Sequence, residues 1–173
     1  MDIPALVNQA RSGDKEALIR LVMDRKNEYY RLAYTYLESR EDALDAVQDM
    51  IVLLFCNIRK LKDAGAFYTW SKTILVNRCR AMLRKKSRSI AWDNEREEVV
   101  YHENYPARET RQDIMHCMKH LNPGQQEAIK LKYFMDLDYA AIAKMTDVPV
   151  GTVKSRVFNG LSKLKDMLGG EEV

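Results

Sequence analysis

Residues 150–165 read VGTVKSRVFNGLSKLK, and they concentrate side chains suited to reading a base pair. Lysine and arginine donate to phosphates and guanine edges. Asparagine pairs with adenine, and an apolar group can rest on a thymine methyl. On a helix of about 3.6 residues per turn, Val153, Val157, Leu161, Leu164 and Leu168 form one stripe, which is expected to be buried. Thr152, Ser155, Asn159, Ser162 and Lys163 lie roughly opposite, with Lys154 and Arg156 flanking the stripe and Phe158 pushed outward. A merely solvated face has no use for Phe158. DNA contact is therefore expected from Thr152, Lys154, Ser155, Arg156, Phe158, Asn159 and Lys163.

A second concentration lies upstream. From Arg59 to Arg88 the chain carries ten basic residues, opposed only by Asp63. The aromatic residues Phe67, Tyr68 and Trp70 stand where this run begins. A positive groove with aromatic platforms is what single-stranded DNA requires. Just before it, ESREDALDAVQDM is acidic, with Glu38, Glu41, Asp42, Asp45 and Asp49 against Arg40.

Other chemistries find little support. There is no nucleophile motif, no glycine-rich phosphate loop and no carboxylate pair with a partner base, so no enzyme is expected. His116, Cys117 and His120 are close, and histidines four apart share a helix face that can ligate zinc. The only other histidine is His102, so a surface pair is expected, with no metal and no cofactor. The three cysteines are scattered, which suits a reduced, cytoplasmic setting. The charged N-terminus does not read as a signal peptide, and the longest apolar run, MIVLLFC at 50–56, is too short to span a bilayer.

The elements that must hold these residues are helices. Only 7 glycines and 4 prolines occur in 173 residues, and three- and four-residue apolar spacings dominate. Helices are expected near 3–11, 14–38, 40–60, 66–86, 109–120, 124–134, 138–146 and 150–167. Asp14, Ser39 and Asp138 stand at N-cap positions, and Pro123 stands in a first turn. On the helix from Arg40, Leu44, Val47, Ile51, Leu54 and Phe55 are expected to point inward. The acidic stretch of irregular spacing around 89–108 is expected to be a flexible linker. It would separate an N-terminal domain, 1–88, from a C-terminal one, 109–173. The fold class is all-α. DYAAIAKMT, a short turn DVP and the basic helix form a helix-turn-helix, whose second helix enters the major groove. Gly151 would let backbone approach a phosphate at that helix's start.

LNPGQQEAIKLKYFMDLDYAAIAKMTDVPVGTVKSRVFNGLSKLK resembles the C-terminal DNA-binding domain of bacterial extracytoplasmic-function (ECF) sigma factors. YRLAYTYLESREDALDAVQDMIVLLF resembles the same family's polymerase-binding helices, and FYTWSKTILVNRCRAMLRKKSR its promoter-melting helix. The likeness runs over nearly the whole chain, in the family's order. It implies a protein that directs core RNA polymerase, touching the β′ clamp helices and the β flap, and reading promoter DNA at −10 and −35. The linker would run toward the active-site and RNA-exit region, and an anti-sigma factor, often membrane-bound, would hold the protein in check. Asp42, Asp45, Gln48 and Asp49 would face polymerase. Lys62, in the loop RKLKDAG that resembles the family's specificity loop, would join Asn77, Arg80 and Arg84 at the −10 element. Asn77 would meet a base and the arginines phosphates, while Trp70 is expected in the core with Ile74 and Leu75. Three residues depart from the family pattern: Ser71 for the usual leucine, and Asn159–Gly160 for the common Arg-Ala. The alternative reading is a one-component helix-turn-helix regulator.

Overall fold

The computed structural model describes residues 1–92 and 109–168, and among these no strand occurs. The chain falls into two compact units, one holding Met1–Ser89 and the other most of the remainder. Residues 93–108, most of the expected linker, lie outside the described residues.

The N-terminal unit contains α1 (Ile3–Arg11), α2 (Lys15–Asp24), α3 (Lys26–Leu37), α4 (Arg40–Asn57) and α5 (Phe67–Trp92). Side-chain caps begin three of them. Asp2 accepts from the Ala5 amide, Asp14 from that of Ala17 at 3.1 Å, and Ser39 from that of Asp42 at 3.2 Å. The expected helix 14–38 is two helices, because Arg25 leaves the helical region at φ −120°, ψ 21°. Glu38, at φ 55°, ends α3 in the left-handed region. After α4 the chain tightens into a 3₁₀ turn, Ile58–Lys60, and a second one, Ala64–Ala66, leads into α5. α5 continues to Trp92, six residues past its expected end. Nothing in KKSRSIAW forbids it, since it contains neither glycine nor proline.

The N-terminal core is formed by Leu18, Leu21, Tyr29, Leu32, Met50, Leu54, Phe67 and Leu75, all essentially inaccessible. α4 buries a stripe that shares Leu54 alone with the expected one. Ala43, Ala46, Met50 and Leu54 face inward, whereas Leu44 is 44% and Phe55 37% exposed, and Val47 and Ile51 are half-buried. Alanines at the contact let the first half of α4 lie close to a neighbouring helix, with α3 packed against it.

The C-terminal unit contains α6 (Glu109–Lys119), α7 (Pro123–Ile129), α8 (Tyr139–Thr146) and α9 (Val150–Met167). Asn122 and Gln125 make a reciprocal capping box at the start of α7, with Pro123 in its first turn. α7 does not run on to 134 as a regular helix, because residues Lys130–Phe134 form a π turn. Asp138 caps α8 through the Ala141 amide at 2.7 Å. Asp147, at φ 55°, then turns the chain through Val148 and Pro149 into α9. Met118, Leu121, Ile129 and Leu164 form a core cluster, with Ile114 and Cys117 packed against it.

Candidate nucleic-acid interface

α9 packs on α7 and α6 through Val153, Val157, Gly160 and Leu164. The expected stripe is thus corrected at two places. Leu161 and Leu168 are 38% and 46% exposed, and Gly160 takes the inner position. A Cβ on Gly160 would lie 2.6 Å from Ile129 Cδ1 and 3.3 Å from Gln125 Cβ. The glycine that departs from the family pattern is what lets α9 seat against α7.

The outward arc carries the residues singled out by type and spacing. Lys154, Ser155, Phe158, Asn159 and Lys163 are exposed, and Phe158 is the extreme at 74%. Thr152 is half-buried, and its carbonyl accepts from the Ser155 hydroxyl at 3.0 Å. Arg156 is also half-buried. Its guanidinium lies over Gly124 in the first turn of α7, so close that a Cβ there would be 3.0 Å from Cζ. The Lys154 ammonium rests 5.8 Å from the centre of the Tyr139 ring on α8.

In the N-terminal unit, Asn77, Arg84 and Lys62 are exposed and Arg80 is half-buried. Asn77 lines a groove of about 430 Å³ together with Asn57, Lys60, Trp70, Ile74 and Arg78. Trp70 and Ile74 are half-buried on this wall, and only Leu75 of the three expected core residues is fully inside. Phe67 is fully buried and offers no stacking surface. Tyr68 donates its hydroxyl to Asp24 at 2.8 Å under the Arg25 guanidinium, and burial with that hydrogen bond pushes its pKa up to about 12. The aromatic cluster that reads as a DNA platform is therefore mainly structural, with Trp70 alone facing the groove. Burial likewise lifts the Cys79 thiol to about 12, so it is inert near neutrality.

Of the four polar residues singled out on α4, Asp45 and Gln48 are exposed. Asp49 instead accepts from Arg78 Nε at 2.6 Å and Nη2 at 2.5 Å, and Asp42 lies 3.9 Å from the Lys86 ammonium. Part of the acidic face is thus tied to the basic helix behind it. Beside it runs an apolar arc that sequence reasoning missed. Leu44 and Val52 flank Gln48 at four-residue spacing, and Phe55 follows a turn from Ile51. The signal was present in the number of large apolar residues on α4, which exceeds what one buried stripe can hold.

Ser71 is explained by its partner. Its hydroxyl lies 2.7 Å from the Tyr29 hydroxyl, both residues being wholly buried, and it also reaches the Tyr68 carbonyl at 3.0 Å. Burial raises the Tyr29 pKa, so the phenol stays protonated. His116 and His120 stack edge to face at 5.2 Å on the exposed side of α6. Among the described residues no group of three metal-ligating side chains assembles, and no helix is long and apolar enough to cross a membrane.

Two helical units, one ending in a helix-turn-helix with an exposed polar and aromatic face, define an all-α protein of the helix-turn-helix class. Residues 21–89 match the sigma-70 region 2 family and residues 111–164 the sigma-70 region 4 family. The ECF RNA polymerase sigma-E factor of Haemophilus influenzae is 30% identical over 178 residues, covering 95% of this chain and 94% of that protein. The RNA polymerase sigma factor SigV of Bacillus subtilis is 28% identical over 162 residues, covering 92% and 95%. The fold is shared with CnrH, solved in complex with the cytosolic domain of CnrY, at TM-score 0.70, 21% identity and 98% and 99% coverage. It is shared as well with the sigma factor RpoE of Bartonella quintana, solved with the anti-sigma factor NepR, at 0.68, 22% identity and 88% and 97% coverage. The chain belongs to the ECF sigma factors of bacterial RNA polymerase.

Proposed function

We propose that this sigma factor divides its work between its two units. Residues 1–88 bind core polymerase through α4 and capture the −10 strand with α5 and the loop before it. Residues 109–173 read the −35 element through α9, and 89–108 link the two. The observation that carries the reading is the outer arc of α9, where Phe158 stands 74% exposed among Lys154, Ser155, Asn159 and Lys163. An aromatic ring held in water midway along a helix-turn-helix reading helix is suited to a thymine methyl, and the amide of Asn159 to adenine.

At the −10 element, Asn77 meets a base at the groove beside Trp70, while Arg80, Arg84 and Lys62 hold phosphates. At polymerase, Asp45 and Gln48 sit beside the apolar arc of Leu44, Val52 and Phe55, a mixed surface suited to a helical partner with basic edges. The apolar component extends the acidic surface read from the sequence. The protein acts in the cytoplasm, where polymerase is, and performs no chemistry of its own. The solved complexes of CnrH and RpoE support an anti-sigma factor as a further partner.

Run-off transcription with core polymerase tests this directly, on promoters selected from a random library. Initiation should depend on the chain, and Phe158→Ala and Asn159→Ala should each change preference at a −35 position. A chain that binds duplex DNA but never initiates would instead be a one-component regulator.

A further inference from the structure

Asp49 and Arg78 join the two long helices that border the groove beside Trp70. Arg78 donates from Nε to one carboxylate oxygen of Asp49 at 2.6 Å, and from Nη2 to the same oxygen at 2.5 Å. Both bonds use one side of the guanidinium, whose N–H groups form a rigid planar fork. The carboxylate therefore fixes the plane of the fork. Its end-on edge, with both Nη1 hydrogens and the second one on Nη2, is unengaged among the described residues. Arg78 lines the groove of about 430 Å³ beside Asn77, together with Asn57, Lys60 and Trp70. Its side chain is 39% exposed, so the pair is not sealed off from what enters there. An arginine ordered in advance loses less freedom on binding than one the ligand must order. An arginine recruited for a phosphate alone is weakened by a carboxylate so near. What the pair supplies is direction, and direction serves a base edge. An end-on fork donates to two acceptors side by side. Among unpaired bases, guanine offers N7 and O6 and cytosine offers N3 and O2, whereas adenine and thymine alternate donors with acceptors.

We propose that Arg78 is a specificity-determining residue for the −10 element, aimed by Asp49 at an unpaired guanine or cytosine in the groove, and that Asp49 is a positioning residue. The proposal rests on the reading of α5 as the helix that captures the −10 strand. It gives Asp49 a task other than the polymerase contact expected of it. It also gives Asn77 a base-reading neighbour that type and spacing did not single out.

The test uses holoenzyme reconstituted with the full chain and isolated by gel filtration, so that assembly defects drop out. Its affinity for fluorescein-labelled single strands carrying the −10 region of a promoter selected from the random library is measured by anisotropy. Each position is varied in turn through the four bases. At one position guanine or cytosine should be preferred about five- to 150-fold over adenine and thymine, the discrimination of one bidentate contact. Arg78→Ala and Arg78→Lys should both abolish that preference, lysine because a single ammonium cannot make the paired contact. Asp49→Ala should flatten it, and Asp49→Asn, which keeps an acceptor for the fork, should restore most of it. A role limited to stability would move the affinity for all four bases together. Where guanine is the base, 7-deazaguanine, which lacks the N7 acceptor, should lose the advantage. Where cytosine is, 2-pyrimidinone, which keeps N3 and O2 but lacks the amino group, should retain it. An unchanged base profile in the Arg78 variants, with Asn77→Ala still lowering affinity, overturns the proposal and leaves the α5 reading standing. An Arg78-dependent preference for adenine or thymine does the same. Flattening by Arg78→Ala but not by Asp49→Ala overturns the positioning role of Asp49. Unchanged affinity in Asn77, Arg78, Arg80 and Arg84 variants alike overturns both the proposal and the α5 reading.

Discussion

Ser71 and Tyr29 show how a single departure from a family pattern is compensated within this chain. A leucine at 71 would need no partner, and a serine needs one because its hydroxyl is sealed from water. Tyr29 supplies it across 2.7 Å. Removing one partner strands the other, and a buried unsatisfied hydroxyl costs about 1–3 kcal/mol. Ser71→Ala is therefore expected to lower N-terminal stability by that order, because the Tyr29 hydroxyl has no other hydrogen bond assigned to it. Tyr29→Phe should cost less, since Ser71 keeps the Tyr68 carbonyl. The double variant should recover part of the Ser71→Ala loss. Urea denaturation of the four proteins, followed by far-ultraviolet circular dichroism, measures the cycle, and strictly additive losses would mean the pair is not coupled.

At the scale of elements, the decisive contacts are those between α9 and α7 and between α4 and α5. Gly160→Leu should force α9 off Ile129, an overpacking worth about 1–3 kcal/mol. Hydrogen exchange should show it as lost protection in α7 and α9, with α1–α5 unchanged. Gly160→Ala sets a helix-propensity gain of about 1 kcal/mol against a contact only Ile129 can relax, so its net effect is smaller. On α4, charge reversal at Asp45 should weaken capture of core polymerase in a pull-down without changing the chain's thermal midpoint. Asp49→Ala differs, because it also releases Arg78. As a surface-exposed pair it should cost no more than about 1 kcal/mol of stability. Unaltered polymerase capture by Asp45→Arg would show that the acidic arc is only solvated.

On the whole-molecule scale, each unit has a core of its own, Tyr29, Leu32, Met50 and Phe67 in one and Met118, Leu121, Ile129 and Leu164 in the other. Fragments 1–88 and 109–173 are expected to fold separately, each with a helical circular dichroism spectrum and a cooperative melt. A fragment that is unfolded alone would show that its core depends on the other. If each unit makes the promoter contact proposed for it, the second contact is intramolecular, and separate weak affinities are expected to combine into tighter binding by the joined chain.

The sequence by itself determined the helical class, the caps at Asp14, Ser39 and Asp138, the turn at Asp147–Pro149 and the outward side chains of α9. These follow from local chemistry: caps satisfy their own helix's amides, and a helical repeat assigns faces to any one helix. What it could not determine was which of several apolar arcs is buried when a helix has more than one. α4 offered Leu44, Val47, Ile51 and Phe55, and packing chose Ala43, Ala46 and Met50 instead. That choice is made by how closely a second helix approaches, a property of two elements and not of one. The same reason covers Gly160, Ser71, the Asp49–Arg78 pair and the burial of Phe67: each is decided by a partner distant in the chain, which only the tertiary structure supplies.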